Sequence, residues 1–368
     1  FTTLYHLIFI VKIKIIMKVC ILGDGLVSLT LAKALVGLGI YVDIISIKKN
    51  QKFDKERTLG ISKSNIEFFN KNIFNIEKIL WNINKIEILS ENNKNEKILD
   101  FNNNNKRLFA LLKNYQLFNL LTKKLNKNKY INFKKKLNNK DYSLIINCDQ
   151  NNKISKKFFF NKLKKDYDSH AYITIIEHKK IKNNYTAYQT FTKNGPIAFL
   201  PVSEKQTSIV YSVKNKNGID LKECIRKFNP KYEIIKIKNF SKFQLKSSNL
   251  RKYYHSNILA FGDLLHRLHP LAGQGFNMCI RDIKELVLLI KIRINNGLDL
   301  NNSVSEDFEK NTRHKNYIFA SSIDFIYEAF NFESKVNTNI LSKTLQIMNK
   351  KKDLNKFFTK FADQGIII

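Results

Sequence analysis

Near its start, the chain alternates apolar runs and glycines in a way that predicts strand, helix and strand in quick succession. An apolar run over 19–22 meets Gly-Asp-Gly at 23–25, and apolar residues then recur at helical spacing over 29–38. A second apolar run covers 41–45. Two strands joined through a helix, with glycines at the first turn, are typical of the βαβ unit that binds a dinucleotide.

The first turn carries the candidate chemistry of this unit. Gly23 permits the turn, and Gly25 lets the backbone approach a diphosphate at the helix N-terminus, where N–H groups favour negative charge. Leu26 begins the helix, and Ser28 is small enough to replace the third glycine. Ser46 occupies the place, after the second strand, where an acidic residue would bind ribose. A βαβ unit without a ligand is the alternative.

A second glycine cluster follows another predicted strand, 258–261, and precedes a helix from about 276 past 289. Seven of the 12 glycines of the chain lie in 23–39 and 262–275. In so glycine-poor a chain, these clusters indicate backbone that must come close to a ligand.

The second cluster reads GDLLHRLHPLAGQGFN over 262–277. It resembles the second FAD fingerprint of flavoprotein aromatic hydroxylases, and most of all that of the ubiquinone-biosynthesis hydroxylases. The resemblance implies that Asp263 hydrogen-bonds the ribityl chain and that the backbone over 270–277 faces the flavin. The predicted FAD contacts here are Gly262, Asp263, Pro270, Gly273, Gln274, Gly275 and Asn277. A metal site at Asp263, His266 and His269 is the alternative.

Further segments resemble the same family. Arg57 opens a segment over 57–62, and Asn105 opens a predicted helix through Leu120; both are candidate cofactor contacts. A surface cation and an ordinary helix cap are the alternatives for these two residues. Residues 187–201 resemble a strand pair of the substrate domain of the family.

One departure from the family pattern concerns the predicted strand 144–146. Relatives carry an Asp-Gly pair after it, associated with FAD and NAD(P)H, whereas this chain has Asp149 followed by Gln150. Asp149 is kept as a candidate FAD contact.

The predicted fold class is therefore α/β. A discontinuous, Rossmann-like FAD-binding domain of the glutathione-reductase type would hold an inserted, mostly antiparallel substrate domain, with helices at the C-terminus. The predicted divisions are 1–16 as an N-terminal extension, 17–64, 101–160 and 248–298 as the FAD-binding domain, 65–100 and 161–247 as the substrate domain, and 299–368 as the helical region.

Charge and composition change this prediction little. The net charge of +33 is mostly lysine spread along the chain beside abundant Asn, Ile and Phe, which is consistent with codon bias and a solvated surface. A membrane-surface role is the alternative, and the Lys-rich stretches contain no nucleic-acid-binding motif. The four cysteines form no CxxC motif and are expected to be reduced thiols. Residues 1–16 are too short an apolar run to span a bilayer and precede Met17; we interpret them as an upstream extension, with an interfacial anchor as the alternative.

The resemblance implies a function. NAD(P)H would reduce FAD, O₂ would add at flavin C4a, and the hydroperoxide would hydroxylate a polyprenyl-phenol precursor of ubiquinone. We expect a cytoplasmic protein that binds no nucleic acid. Peripheral attachment to the inner face of the membrane and membership of a quinone-biosynthesis complex are further hypotheses. The alternatives are a hydroxylase of a soluble aromatic compound, a non-catalytic member of such a complex, and a basic nucleic-acid-binding protein.

Overall fold

The computed structural model describes most of the chain. The described residues are 17–46, 56–93, 96–102, 106–138, 141–214, 218–270, 273–336, 338–349 and 359–365. The predicted extension over 1–16 and the candidate contact Asn105 lie outside them.

Eighteen strands and eight numbered α-helices are described, besides short 3₁₀ helices and a helical stretch over 359–364. The strands are β1 Lys18–Leu22, β2 Tyr41–Ile45, β3 Thr58–Ser62, β4 Trp81–Ile83, β5 Lys85–Ser90, β6 Glu96–Asn102, β7 Phe109–Lys113, β8 Ile131–Lys134, β9 Leu144–Asn147, β10 Lys162–His178, β11 Thr186–Thr192, β12 Gly195–Pro201, β13 Gln206–Lys214, β14 Ile234–Ile237, β15 Ser241–Leu250, β16 Tyr254–His255, β17 Ile258–Ala260 and β18 His266–Arg267. The helices are α1 Leu26–Val36, α2 Lys63–Asn72, α3 Asn114–Asn126, α4 Lys153–Phe158, α5 Leu221–Lys227, α6 Gln274–Asn295, α7 Asn302–Val336 and α8 Ile340–Asn349.

A six-stranded sheet, in the order β16-β17-β9-β1-β2-β8, forms the predicted dinucleotide-binding core. Its neighbours pair in parallel except for the hairpin of β16 with β17. The inner strands β1, β2, β9 and β17 are buried because helices α1, α3 and α6 cover the sheet, which explains their continuous apolar runs. Strands β1 and β17 lie on either side of β9, so the glycine turns that follow them emerge at the same edge.

A larger sheet, in the order β18-β15-β10-β13-β12-β11-β5-β6 with β14 beside β10, is antiparallel except where β11 pairs with β5. Its longest strand, β10, pairs with both β13 and β15. The strand pair predicted over 187–201 is present as β11 and β12, which pair antiparallel. The domain division predicted from the sequence stays a prediction.

The predicted helix start at 105–108 is wrong. Residues 109–113 instead form β7, which pairs antiparallel with β3 and β4 in a small three-stranded sheet, and α3 begins only at Asn114. The run Phe-Ala-Leu-Leu is apolar throughout and is buried at its centre between two partner strands. Sheet pairing with distant segments therefore overrides the local helical pattern.

Two helices follow the sheets. Helix α7 is 35 residues long and packs against α6, while α8 packs against β6. None of the helices in the described part of the chain combines the length and the apolar character needed to cross a bilayer.

Candidate FAD-binding site

Both glycine turns border one continuous cavity of about 2100 Å³. Every predicted contact that the structure describes lines this cavity. These residues are Gly23, Gly25, Leu26, Ser28, Ser46, Arg57, Asp149, Gly262, Asp263, Pro270, Gly273, Gln274, Gly275 and Asn277. The structure thus brings together residues from five separate stretches of the sequence, while their individual roles toward a cofactor stay predictions.

The first turn is shaped by its backbone. Gly23 has φ +102°, a conformation that side-chain-bearing residues rarely adopt, and its N–H donates to the carbonyl of Ile45 at 2.8 Å. Gly25 caps α1 with φ −70°, and a Cβ built on it would meet no atom within 4 Å. The space in front of Gly25 is therefore open cavity, next to the N–H groups of the first turn of α1.

Sequence reasoning missed Asp24, which also lines the cavity. The Ser46 hydroxyl donates a hydrogen bond of 2.6 Å to Oδ2 of Asp24. A carboxylate is consequently held at the carboxyl end of β2, where the sequence shows only a serine. The signal was present, because Asp24 lies between the two glycines of the motif.

The third turn follows β9 and is built by side chains instead of glycine. Asn147 accepts a hydrogen bond from the N–H of Asp149, and Asp149 accepts one from the N–H of Asn151. Asn152 caps α4 by accepting from the N–H of Ser155, whose hydroxyl donates to the carbonyl of Asp149. This network forms a turn at the place where the family resemblance implies an Asp-Gly pair.

The second glycine turn contacts the first turn of α1. Gly262 has φ +62°, and a Cβ built on it would lie 3.1 Å from Cγ1 of Val27. The adjacent Asp263 is exposed to the cavity. Gly273, with φ +63°, caps α6 and lies close to the backbone of Gly60. The two turns face the same space, so one ligand can touch both.

Asn277 joins the second turn to the strand after Arg57. Its amide donates to the carbonyl of Gly60 at 3.0 Å, and its Oδ1 accepts from the N–H of Ser62 at 2.9 Å and from Asn65 at 3.0 Å. Asn277 is buried, so these bonds are shielded from water. The described contacts of this predicted cofactor residue are to β3 and α2, and they fix the wall of the cavity.

His266 is part of a buried network of hydrogen-bonded polar side chains. Its Nε2 hydrogen-bonds Asp282 of α6, and Asn316 of α7 donates to the other carboxylate oxygen at 2.9 Å. All three side chains are buried. Across the described ranges, no group of His, Cys, Asp and Glu could hold a metal ion. The arrangement ties the second turn to both long helices.

His269 lines the cavity beside two tyrosine rings. The ring centroids of Tyr167 and Tyr327 lie 4.8 and 4.2 Å from that of His269. Burial, with a smaller contribution from the positive charge of Lys165, lowers the pKa of His269 to about 3. The imidazole is therefore neutral at physiological pH and does not supply a positive charge to the cavity.

Cysteine chemistry is not supported at this site. Cys148 lines the cavity between the first and second turns, and burial raises its pKa to about 12 despite a hydrogen bond with Ser28. The group is thus a neutral thiol and a poor nucleophile. All four cysteines are free.

Two buried acceptors indicate that the cavity fits a polar ligand. Oδ1 of Asn114, at the start of α3, and Oε1 of Gln274, at the start of α6, have no hydrogen-bond partner among the described residues. Both residues line the cavity. Buried acceptors normally find donors, so a ligand with N–H or O–H groups would satisfy them. FAD carries such donors on its ribityl chain and ring.

The opposite part of the cavity is apolar. It lies between the large sheet and α7, with α8 at one side. Phe191 of β11 stacks on Phe330 of α7 with 3.6 Å between ring centroids. Apolar lining residues of this part are Ile86, Ile88, Leu99, Phe101, Phe191, Leu200, Val210, Phe243, Leu245, Phe319, Ile323, Phe330, Leu341 and Leu345.

Comparison with known proteins agrees with this geometry. A family model described as an FAD binding domain matches residues 220–296, which include the second turn and α6. The ubiquinone biosynthesis monooxygenase COQ6 of Schizosaccharomyces pombe is 22% identical over 273 residues, covering 61% of this chain and 57% of that protein. The 3-demethoxyubiquinol 3-hydroxylase of Escherichia coli is 27% identical over 155 residues, covering 39% and 40%. Over part of its length, the chain is therefore similar to proteins named as ubiquinone-biosynthesis monooxygenases and hydroxylases.

Solved structures confirm the predicted fold class. The p-nitrophenol 4-monooxygenase PnpA of Pseudomonas putida superposes with a TM-score of 0.72 at 13% identity, covering 95% of this chain and 99% of that one. A variant of HpxO from Klebsiella pneumoniae, solved with FAD, gives 0.72 at 12% identity with the same coverage. The match of residues 220–296 to an FAD binding domain supports FAD as the cofactor. The chain spans about half the length of the COQ6 proteins it matches, 57% in the yeast case.

Proposed function

We propose that this chain is an FAD-dependent monooxygenase that hydroxylates the aromatic ring of a polyprenylated ubiquinone precursor, with NAD(P)H as reductant and O₂ as oxygen source. The observation that carries the proposal is the single cavity, which joins two FAD-type turns to a large apolar compartment. Its volume of about 2100 Å³ exceeds the roughly 300–1,000 Å³ of ordinary ligand pockets. A dinucleotide and a prenylated ring together would account for that size.

Residues at the two ends of the cavity would bind different parts of the cofactor. The turn at 23–28 and the N-terminus of α1 would hold the diphosphate, while the turn at 262–277 would hold the flavin end. When bound, FAD would supply the electron transfer to O₂ and the delivery of one oxygen atom, which no amino-acid side chain provides. The apolar walls would orient the ring and exclude water.

A soluble aromatic substrate is the second candidate, and the exposed surface favours a prenylated one. Ile318, Phe325 and Ile326 of α7 line the cavity and are also exposed, Phe325 by 73%. Phe332, seven positions after Phe325 on α7, and Ile340 at the start of α8 are exposed as well. A polyprenyl tail could pass from a bilayer along such a rim, whereas a small polar aromatic would gain nothing from it.

Membrane attachment and membership of a quinone-biosynthesis complex belong to the same proposal. The apolar rim of α7 would enter the interface, and the net charge of +33 would favour anionic lipid. Co-sedimentation with vesicles of phosphatidylglycerol and phosphatidylcholine tests the attachment. We expect salt-sensitive binding that the pair Phe325→Ser and Phe332→Ser weakens; binding unaffected by both salt and the substitutions would contradict it.

The decisive experiment is complementation. The chain is expressed in bacteria that each lack one quinone-ring hydroxylase, and the quinone intermediates are measured by mass spectrometry. We expect one strain to lose its accumulated intermediate, and Gly25→Leu to abolish the rescue. A purified protein that binds FAD but rescues no strain would favour the soluble-substrate or non-catalytic alternatives.

A further inference from the structure

The carboxyl end of β2 lacks the acidic residue expected of a dinucleotide-binding fold. That residue normally accepts hydrogen bonds from ribose hydroxyls, about 20 residues after the glycine motif. Ser46 occupies the position here, immediately after β2. A serine hydroxyl offers a single weak contact, so a ribose at this point would be poorly held unless another group contributes.

Asp24 supplies the missing group from the turn itself. Its Oδ2 accepts the 2.6 Å hydrogen bond from the Ser46 hydroxyl, and both residues line the cavity. The bond spans 22 positions of sequence and brings the carboxylate to the end of β2. Ser46 is itself fixed, because its N–H donates to the carbonyl of Lys134 on the neighbouring β8.

The charges around Asp24 bear on what it could bind. A carboxylate between two glycines of a diphosphate-binding turn would repel a diphosphate if it faced that group. Lys135 and Lys136, just after β8, are exposed and line the same end of the cavity. They would offset the charge of a diphosphate, and the Asp24 carboxylate would then serve as an acceptor for hydroxyl donors.

We propose that Asp24, oriented by Ser46, is the ribose-binding carboxylate of this chain and accepts hydrogen bonds from the adenosine ribose of FAD. The assignment rests on the proposed FAD-dependent function. It makes Asp24 a determinant of specificity for an adenosine nucleotide and Ser46 a positioning residue. The glycine motif and the ribose acceptor, normally on two segments, are here combined in one turn.

Binding measurements on the purified full chain test this assignment. FAD, ADP, 2′-deoxy-ADP and riboflavin are titrated by calorimetry and flavin fluorescence against the wild type, Asp24→Asn and Ser46→Ala. We expect Asp24→Asn to weaken FAD and ADP by about tenfold or more, because hydrogen bonds to a charged acceptor are lost. Riboflavin has no adenosine, so it should bind equally to the wild type and to Asp24→Asn. Equal riboflavin binding therefore reports that the variant is folded.

Two comparisons separate ribose binding from a structural role. The wild type should prefer ADP over 2′-deoxy-ADP, and Asp24→Asn should lose that preference. Ser46→Ala should weaken FAD less than Asp24→Asn does, and Ser46→Glu placed in the Asp24→Asn protein should restore affinity.

The results that would contradict the Asp24 assignment differ from those that would contradict the proposed function. Equal or tighter FAD binding by Asp24→Asn, or an unchanged preference for ADP, would overturn the assignment while leaving the proposed function intact. A wild type that takes up neither FAD nor ADP would overturn both.

Discussion

The two glycine turns follow two strands of the same parallel sheet and begin two helices, yet they are held in different ways. The turn at 23–28 is held mainly through its backbone, by the positive φ of Gly23 and its N–H bond to Ile45, with one side-chain bond between Asp24 and Ser46. The turn at 262–277 is held by buried side chains, with His266 bonded to Asp282 and Asn277 bonded to β3.

The difference follows from what each end must do. A diphosphate is bound by N–H groups at a helix N-terminus, so the first turn needs only close backbone approach. The reactive end must also position a second molecule against the ring, which requires β3, α6 and α7 to be fixed relative to one another. Buried polar networks provide such fixed positions when all members are satisfied.

Breaking the side-chain network should have the largest effect. Asp282→Ala leaves His266 and Asn316 buried without their partner, and we expect the free energy of unfolding to fall by about 3–5 kcal/mol. Urea denaturation measures it. Asp282→Asn is the matched control, since it retains the shape and one acceptor. A loss below about 1 kcal/mol for Asp282→Ala would mean that the second turn does not depend on this chain of contacts.

Breaking the contact between β3 and α6 should have the next largest effect on the free energy of unfolding. Asn277→Ala removes the bonds to Gly60, Ser62 and Asn65 and should lower the free energy of unfolding by about 2–3 kcal/mol. Asn277→Asp still accepts from Ser62 but cannot donate to Gly60, so it should be intermediate. An alanine variant as stable as the wild type would remove Asn277 from the support of the turn.

The backbone of the first turn is tested by a substitution at Gly23. Gly23→Ala forces a side chain into φ +102° and should cost about 1–3 kcal/mol of stability, with loss of FAD binding. Gly218→Ala is the control, because Gly218 has φ +85° and does not line the cavity. It should lose stability but keep FAD affinity. If Gly23→Ala binds FAD as the wild type does, the turn does not need glycine.

The smallest expected effect is on the stability of the protein in acid, through Asp43 on β2. Burial acts to raise the pKa of Asp43 on β2, but hydrogen bonds from Lys134, Tyr142, Asn132 and Lys18 outweigh it and lower the pKa to about 2. Asp43 is ionised when folded and protonated when unfolded between pH ~4 and ~2, so its stabilisation is present above this window and lost within it. The wild type should lose about 1–2 kcal/mol more than Asp43→Asn over that range. If the free energies of unfolding of the two proteins fall equally over this pH range, the role of Asp43 in acid stability is disproved.

The same contrast explains what could be predicted from the sequence. The apolar runs and glycine spacing predicted β1, β2 and α1 within about one turn, because a buried parallel strand and a glycine turn each leave a local pattern. The helix predicted from 105 was wrong because β7 is determined by its pairing with β3, which is distant in sequence.

The contacts that hold the second turn left no local pattern. Asp282 and Asn316 lie 16 and 50 residues beyond His266, on two helices that show only an amphipathic period. Asn65 and Asn277 are 212 positions apart. Such partners are brought together only by tertiary packing. The second turn itself could therefore be predicted from its resemblance to a family motif, but the residues that hold it in place could not.

The central claim is that both turns hold one FAD molecule, and matched substitutions test it most directly. Gly25 of the first turn and Gly275 of the second both line the cavity, and a Cβ on either would meet no protein atom within 4 Å. Wild type, Gly25→Leu and Gly275→Leu are titrated with FAD, ADP and riboflavin. We expect one FAD per chain, loss of FAD in both variants, loss of ADP only in Gly25→Leu and loss of riboflavin only in Gly275→Leu. Undiminished FAD binding in either variant would contradict the claim.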